Sequence, residues 1–129
     1  MVSPVVIRKT VAAYFAATRA MDPEAWLATF AEDAVSYDPV GGVPIEGHRG
    51  LRQFYETITL AFDKVGITEG TVFVAGNQAA AQWKGHGLGK NGREVTFEGI
   101  DVFEINDRGK IQRLWGYWDP APLMEELMS

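Results

Sequence analysis

Apolar residues recur at helical spacing in the first half of the chain and at every second position in the second half. Ile7, Val11 and Tyr14, continued by Thr18, form one stripe with Phe15 beside it. That is the spacing of an amphipathic helix. Ser3-Pro4 opens it, Ser as N-cap and Pro at the first helical position. Asp22-Pro23-Glu24 repeats the start signal for a second, short helix through about Phe30, and Glu32-Asp33 is expected to break it. Ala34 to Tyr37 reads as a short strand ending at Asp38-Pro39. Pro39, Gly41, Gly42 and Pro44 then mark a loop. A third helix follows Gly47-His48-Arg49-Gly50, with the stripe Leu51, Phe54, Tyr55, Ile58 and Phe62.

From Val65 onward the period is two. Val65 to Ala75 reads as a strand with a bulge near Glu69-Gly70, and Ala79 to Leu88 as a second. Asn91-Gly92 is a hairpin turn, Glu94 to Ile105 the next strand, and Lys110 to Trp118 the last. Asp119-Pro120 starts a short C-terminal helix. Helices followed by an antiparallel meander predict an α+β fold, a curved sheet packed against helices of the N-terminal half. Ile100, Val102, Trp115 and Tyr117 fall on the face away from the expected core. A sheet apolar on both faces needs cover on both. One chain has too few helices for that, so a homodimer through the sheet face is expected.

Composition narrows the function. A chain of 129 residues is expected to form a single domain, residues 1–129. A net charge of −5 with no Lys/Arg cluster argues against nucleic acid as a partner. The absence of cysteine removes disulfides, thiol nucleophiles and zinc–thiolate sites. His48 and His86 are the two histidines and form no metal-ligand pair, so neither a metal nor another cofactor is expected. Gly87-Leu88-Gly89-Lys90-Asn91-Gly92 spells a dinucleotide-binding motif, but it leads into a β-run instead of opening a helix. No serine has a nucleophile-elbow setting. No apolar stretch reaches membrane-spanning length, and no basic segment precedes an apolar run at the N-terminus. A cytoplasmic protein without a membrane partner is the expectation.

One residue breaks the pattern. Asp101 shares its strand row with Val95, Phe97, Gly99, Phe103 and Ile105, so a carboxyl lies on the face destined for the core. A buried carboxyl is paired, hydrogen-bonded or kept protonated. Held neutral, it can donate a hydrogen bond. Tyr14 and Tyr55 lie on two core-facing stripes, either as ordinary core tyrosines or as a hydrogen-bonded pair. Asp38, at a strand end before a Gly-Gly loop, fits an Asx-turn or a general base. Between Ala79 and Leu88, either Gln82, Lys84 and His86 or Trp83 faces inward, and a one-residue slip exchanges them.

The element order resembles the NTF2-like cone-shaped roll. Ala13-Tyr14-Phe15, Phe30-Ala31-Glu32-Asp33-Ala34, Tyr37-Asp38-Pro39-Val40-Gly41, Phe54-Tyr55, Gly99-Ile100-Asp101-Val102 and Gly116-Tyr117-Trp118 resemble, in order and spacing, segments of bacterial Δ5-3-ketosteroid isomerase. Several of these segments are shared with SnoaL-like proteins. The resemblance implies Tyr14 and a protonated Asp101 as hydrogen-bond donors to a substrate oxyanion, and Asp38 as the base that shuttles the proton. It implies Tyr55 as support for Tyr14 and Trp118 as support for the base. The implied pocket is lined by Thr18, Phe54, Lys84, His86, Phe97, Gly99, Leu114 and Gly116, and takes a hydrophobic ketone or steroid-like molecule. Phe30 stands where some members carry a tyrosine, so any hydrogen-bond network is shorter here. Lys84 or His86 in the pocket would favour a polar ligand and, if paired with Asp101, ionise it. That leaves two alternatives: a SnoaL-like cyclase or hydratase using Asp38 or Asp101 with His86 on a polar substrate, and a non-catalytic binding module.

Overall fold

The computed structural model describes all 129 residues. Helix α1 (Pro4–Ala20) starts where Ser3 accepts from Val6 N–H and ends at Met21, which takes the left-handed conformation at φ 50°. Helix α2 (Pro23–Ala28) is capped by Asp22, which accepts from Ala25 N–H. It ends two residues short of the sequence reading, and strand β1 (Phe30–Tyr37) begins at once. Glu32 and Asp33 do not break the chain. They face solvent within β1, where pairing with the last strand shifts between Phe30 and Val35. A two-residue strand β2 (Ile45–Glu46) follows, too short to show a period, and then helix α3 (Gly47–Thr59). Phe62 is not on that helix but opens strand β3 (Phe62–Ala75). Strands β4 (Gln78–Gly89), β5 (Glu94–Ile105) and β6 (Ile111–Tyr117) complete the meander, and helix α4 (Ala121–Leu127) ends the chain.

The sheet is six-stranded, curved and open, in the order β2-β1-β6-β5-β4-β3. Neighbours are antiparallel except β1 and β6, which are parallel. The expected bulge in β3 is present as a register shift between Glu69 and Val72. Helices α1 and α2 cover the inner face over a core that includes Ile7, Val11, Phe15, Leu27, Phe103 and Ile111. A smaller cluster of Phe62, Val65, Val95 and Leu123 lies apart from it, with Phe97 and Trp118 packed against it. Thr18 ties α1 to the sheet: its hydroxyl donates to Phe15 O at 2.7 Å and accepts from Ile67 N–H at 3.1 Å. The space left between the two clusters is a pocket.

Candidate active site

Three elements bring three oxygen-bearing side chains to this pocket. Tyr14 lies on the buried stripe of α1, its ring edge-on to Phe15 and to Phe103, each at 5.1 Å. Asp101 stands in mid-strand on β5, opposite Ala81 of β4 on one side and Gly116 of β6 on the other. Asp38 follows the last residue of β1 and joins Pro39 through a cis peptide. Its loop is held to β6 by Val40 N–H donating to Gly116 O at 2.8 Å. Gly116 makes the meeting possible. A Cβ there would sit 2.6 Å from Asp38 Oδ1 and 3.3 Å from Asp101 Oδ1, so both carboxyls converge over a position that carries no side chain. Trp118 Nε1 donates to Asp38 Oδ1 at 2.6 Å, a short charge-assisted contact.

The pocket is a cavity of about 100 Å³ that opens to solvent at its mouth. Of its 17 lining residues 12 are hydrophobic. Phe54, Ile58, Phe62, Val65, Phe97 and Leu123 form much of the apolar wall. Such a chamber suits a ligand that is mostly hydrocarbon with a few oxygens. No group of three or more His, Cys, Asp or Glu side chains that could hold a metal ion is present.

Burial dominates the electrostatics. Asp101 is 2% exposed. Desolvation first, and the charge of Asp38 second, raise its pKa well above the usual aspartate range; Trp83 and Tyr14 act in the opposite direction. Desolvation also raises Asp38, against the pull of the Trp118 N–H. The Tyr14 phenol goes well above its usual range through desolvation, then Asp101 and Asp38, with Trp26 opposing. Two neighbouring carboxyls in a dry site resist double ionisation. The upward shift is the larger at Asp101, and at Asp38 the Trp118 N–H opposes it.

Thr18, Phe54, Tyr55, Phe97 and Trp118 line the pocket with Tyr14, Asp38 and Asp101. Lys84 and His86 do not. They stand exposed on the outer face of the sheet, in a shallow groove with Thr68, Thr96 and Glu98. Pairing of Trp83 with Gly99 and of Gly85 with Phe97 turns Trp83 inward and leaves the Phe97 ring lying over Gly85. Lys84 therefore faces away from Asp101. Leu114 is fully buried in the main core beneath the site and is not part of the pocket wall. Gly99 is not part of the pocket wall, because Trp83 and Trp118 fill the space over it. Gly116 lies under the two carboxyls. The Tyr55 hydroxyl is buried without a hydrogen-bond partner and so makes no bond to Tyr14. Trp26 lies beside both rings, at 6.2 Å from Tyr14 and 5.3 Å from Tyr55. Trp26 and Leu123 are pocket residues that the sequence does not single out, whereas Trp83 is the inward-facing alternative it offers to Lys84 and His86. For Trp83 a signal existed: the row Trp83, Gly85, Gly87 leaves room on one face for facing aromatic rings.

Residues 11–114 match the SnoaL-like domain family. The steroid Δ-isomerase of Nocardioides simplex is 27% identical over 118 residues, spanning 92% of this chain and 94% of that protein. Among solved structures, the epoxide hydrolase/cyclase-like enzyme SalBIII of pyran ring formation in salinomycin superposes with a TM-score of 0.80. It is 27% identical, over 89% of this chain and 92% of its own. The Δ5-3-ketosteroid isomerase of Mycobacterium sp. shares the fold at a TM-score of 0.79, with 24% identity over 90% of this chain and 95% of its own. The family match covers most of the chain, and the architecture agrees with it: this protein belongs to the SnoaL-like, NTF2-like family.

Proposed function

We propose that the chain is a ketosteroid-isomerase-like enzyme that moves a proton between the α and γ carbons of a ketone through a dienolate. Asp38 removes the α proton. The electron pair of the C–H bond passes into the conjugated system and charge builds on the ketone oxygen. Tyr14 and neutral Asp101 donate hydrogen bonds to that oxygen, and Asp38 then returns the proton at the γ carbon. Two donors aimed at a developing oxyanion in a water-poor site supply the main stabilisation. The observation that carries the reading is the convergence of the Asp38 and Asp101 carboxyls over Gly116 in a pocket they share with Tyr14. The steroid Δ-isomerase relative supports a hydrophobic, steroid-like ketone as substrate. The test is to incubate the protein with a Δ5-3-ketosteroid and follow conjugated enone absorbance. Turnover that falls by about 10²–10⁴-fold in Asp38→Asn is expected. No turnover above buffer, or turnover unchanged in that variant, refutes the reading.

The similarity to SalBIII favours a second reading, in which Asp101 protonates an epoxide oxygen while Asp38 takes the proton of an attacking hydroxyl. His86 takes no part in it, because it stands on the other face of the sheet. Ring closure of a hydroxy-epoxide, without steroid turnover, would select this reading.

The outer face of the sheet is apolar enough to suit a second copy of the chain. Ile100 and Tyr117 are 45% and 51% exposed on the outer face, beside Val102 and the stacked pair Tyr37–Trp115. A second copy covering this face would bury them. Sedimentation should give a dimer that Ile100→Glu dissociates, and a monomeric wild type would exclude it.

A further inference from the structure

Trp83 and Asp101 are diagonal neighbours on the inner face of the sheet. Trp83 pairs with Gly99 across the β4–β5 ladder, and Ala81, two residues before it, pairs with Asp101. A long aromatic side chain reaches across such a diagonal. Gly99 offers nothing in its way, since a Cβ there would fall 2.7 Å from Trp83 Cζ2. The indole is held edge-on to Phe97 at 5.8 Å and to Trp118 at 6.0 Å, and the residue is 3% exposed. Its Nε1 is nevertheless buried with no hydrogen-bond partner. Buried N–H groups are almost always paired, and an exception calls for a reason. Asp101, its diagonal neighbour, is a carboxyl acceptor lining the same pocket, and the N–H acts to lower its pKa.

We infer that Trp83 is a positioning residue for Asp101: its N–H closes on the carboxyl oxygen turned away from the ligand as Asp101 donates toward the ligand oxygen. The inference rests on the reading of Asp101 as an oxyanion donor. When the Asp101 O–H is pulled toward a developing oxyanion, negative charge shifts onto its carboxyl. A second donor to that carboxyl then strengthens, and the chain of hydrogen bonds polarises cooperatively. A bond that tightens only as charge builds acts on the transition state more than on the bound substrate. The other ionisable groups facing Asp101 are Tyr14 from α1 and Asp38 from the end of β1. Neither can substitute for Trp83, because Tyr14 is engaged with the ligand and Asp38 holds the abstracted proton that it returns to the γ carbon. Asp38 already has an equivalent partner in the N–H of Trp118.

The test uses two variants. Trp83→Phe removes the N–H and part of the ring. Replacement of Trp83 by benzothienylalanine, which carries sulfur where indole has N–H, removes the donor and keeps the shape. Three readouts are compared with wild type: the infrared C=O stretch of Asp101, identified by its loss in Asp101→Asn; the affinity for 2-naphthol, whose phenolate mimics a dienolate; and kcat and KM on a Δ5-3-ketosteroid. In both variants the band of the 2-naphthol complex should move to higher frequency. Naphthol affinity and kcat should each fall about tenfold, the scale of a hydrogen bond to a charged group, while KM changes little. An unchanged band and unchanged naphthol affinity in the benzothienylalanine protein would overturn the inference. Wild type inactive on the steroid would sink the isomerase reading alone, since the infrared and binding readouts still judge Trp83.

Discussion

The two faces of strands β4 and β5 carry ionisable side chains at alternate positions and treat them in opposite ways. On the outer face Lys84, His86 and Glu98 stand in water, with room to orient and solvent to satisfy them. On the inner face Asp101 is surrounded by Trp83, Tyr14 and a second carboxyl, and burial is the largest influence raising its pKa. The same strands thus hold exposed ionisable groups on one side and a buried carboxyl with a raised pKa on the other. The environment of a side chain in this sheet comes from the face it occupies and from the glycines opposite it, and residue type alone does not predict it. Gly99 and Gly116 are where the sheet makes space, for an indole and for a carboxyl respectively.

Substitutions on the inner face should dominate. Removing the proposed base in Asp38→Asn should lower kcat on a Δ5-3-ketosteroid by about 10²–10⁴-fold, the range for general acid–base catalysis. Asp101→Ala deletes one oxyanion donor and should cost about 10²–10³-fold in kcat, measured in the same enone assay. Gly116→Ala adds a methyl 2.6 Å from Asp38 Oδ1 and must displace that carboxyl. A drop of about tenfold or more, with far-ultraviolet circular dichroism unchanged, is expected from misplacing a reacting group.

Stability should register the same burial. Asp101 and Asp38 both have pKa values raised in the folded state, by desolvation first. At low pH both states hold their protons. As the pH rises past the ordinary aspartate range near about 4, the unfolded chain releases protons that the folded chain keeps. Stability therefore falls, with a limiting slope of about 1.4 kcal/mol per pH unit for each such group. It levels off only once the folded groups ionise. Urea midpoints across this range should show less of the fall in Asp101→Asn, and the variant should be more stable than wild type at neutral pH. An identical pH profile in the two proteins would remove Asp101 from the account. The smallest effect belongs to the outer face: Lys84→Ala and His86→Ala should each leave kcat and KM within about twofold, as surface changes away from a site do. A large loss in either would break the contrast between the faces.

Much of this contrast is legible in the sequence, and its gaps have physical causes. The β5 pattern is clean, with the turn Asn91-Gly92 before it and Asn106-Asp107-Arg108-Gly109 after it, so its ends and the inward row of Asp101 follow directly. β4 is ambiguous because its inward row, Ala79, Ala81, Trp83, Gly85 and Gly87, has one large apolar residue among small ones, while Ala80 and Leu88 interrupt the polar row. Pairing settles its register, through Gly85 under Phe97 and Trp83 over Gly99, and that depends on a partner strand no local pattern reveals. The place of Leu114 depends in the same way on its pairing with Phe103 and Ser36, which sets it in the core. Glu32-Asp33 looks like a break because charge is rare in a buried strand, yet β1 is irregular there and both acids reach solvent. Trp26 sits on a six-residue helix, too short for its facing to be read from periodicity. Leu123 reaches the pocket only because α4 folds back against β5.

The central claim is that Asp101 keeps its proton at neutral pH while Asp38 carries the charge. Carbon-13 NMR of protein labelled at the aspartate carboxyls, with Asp38 and Asp101 assigned by their Asn variants, reads both groups at once. The account predicts a protonated Asp101 and an ionised Asp38 at neutral pH, with Asp101 still protonated when a phenolic oxyanion mimic is bound. An Asp101 that is already a carboxylate at neutral pH and titrates in the ordinary aspartate range would contradict it.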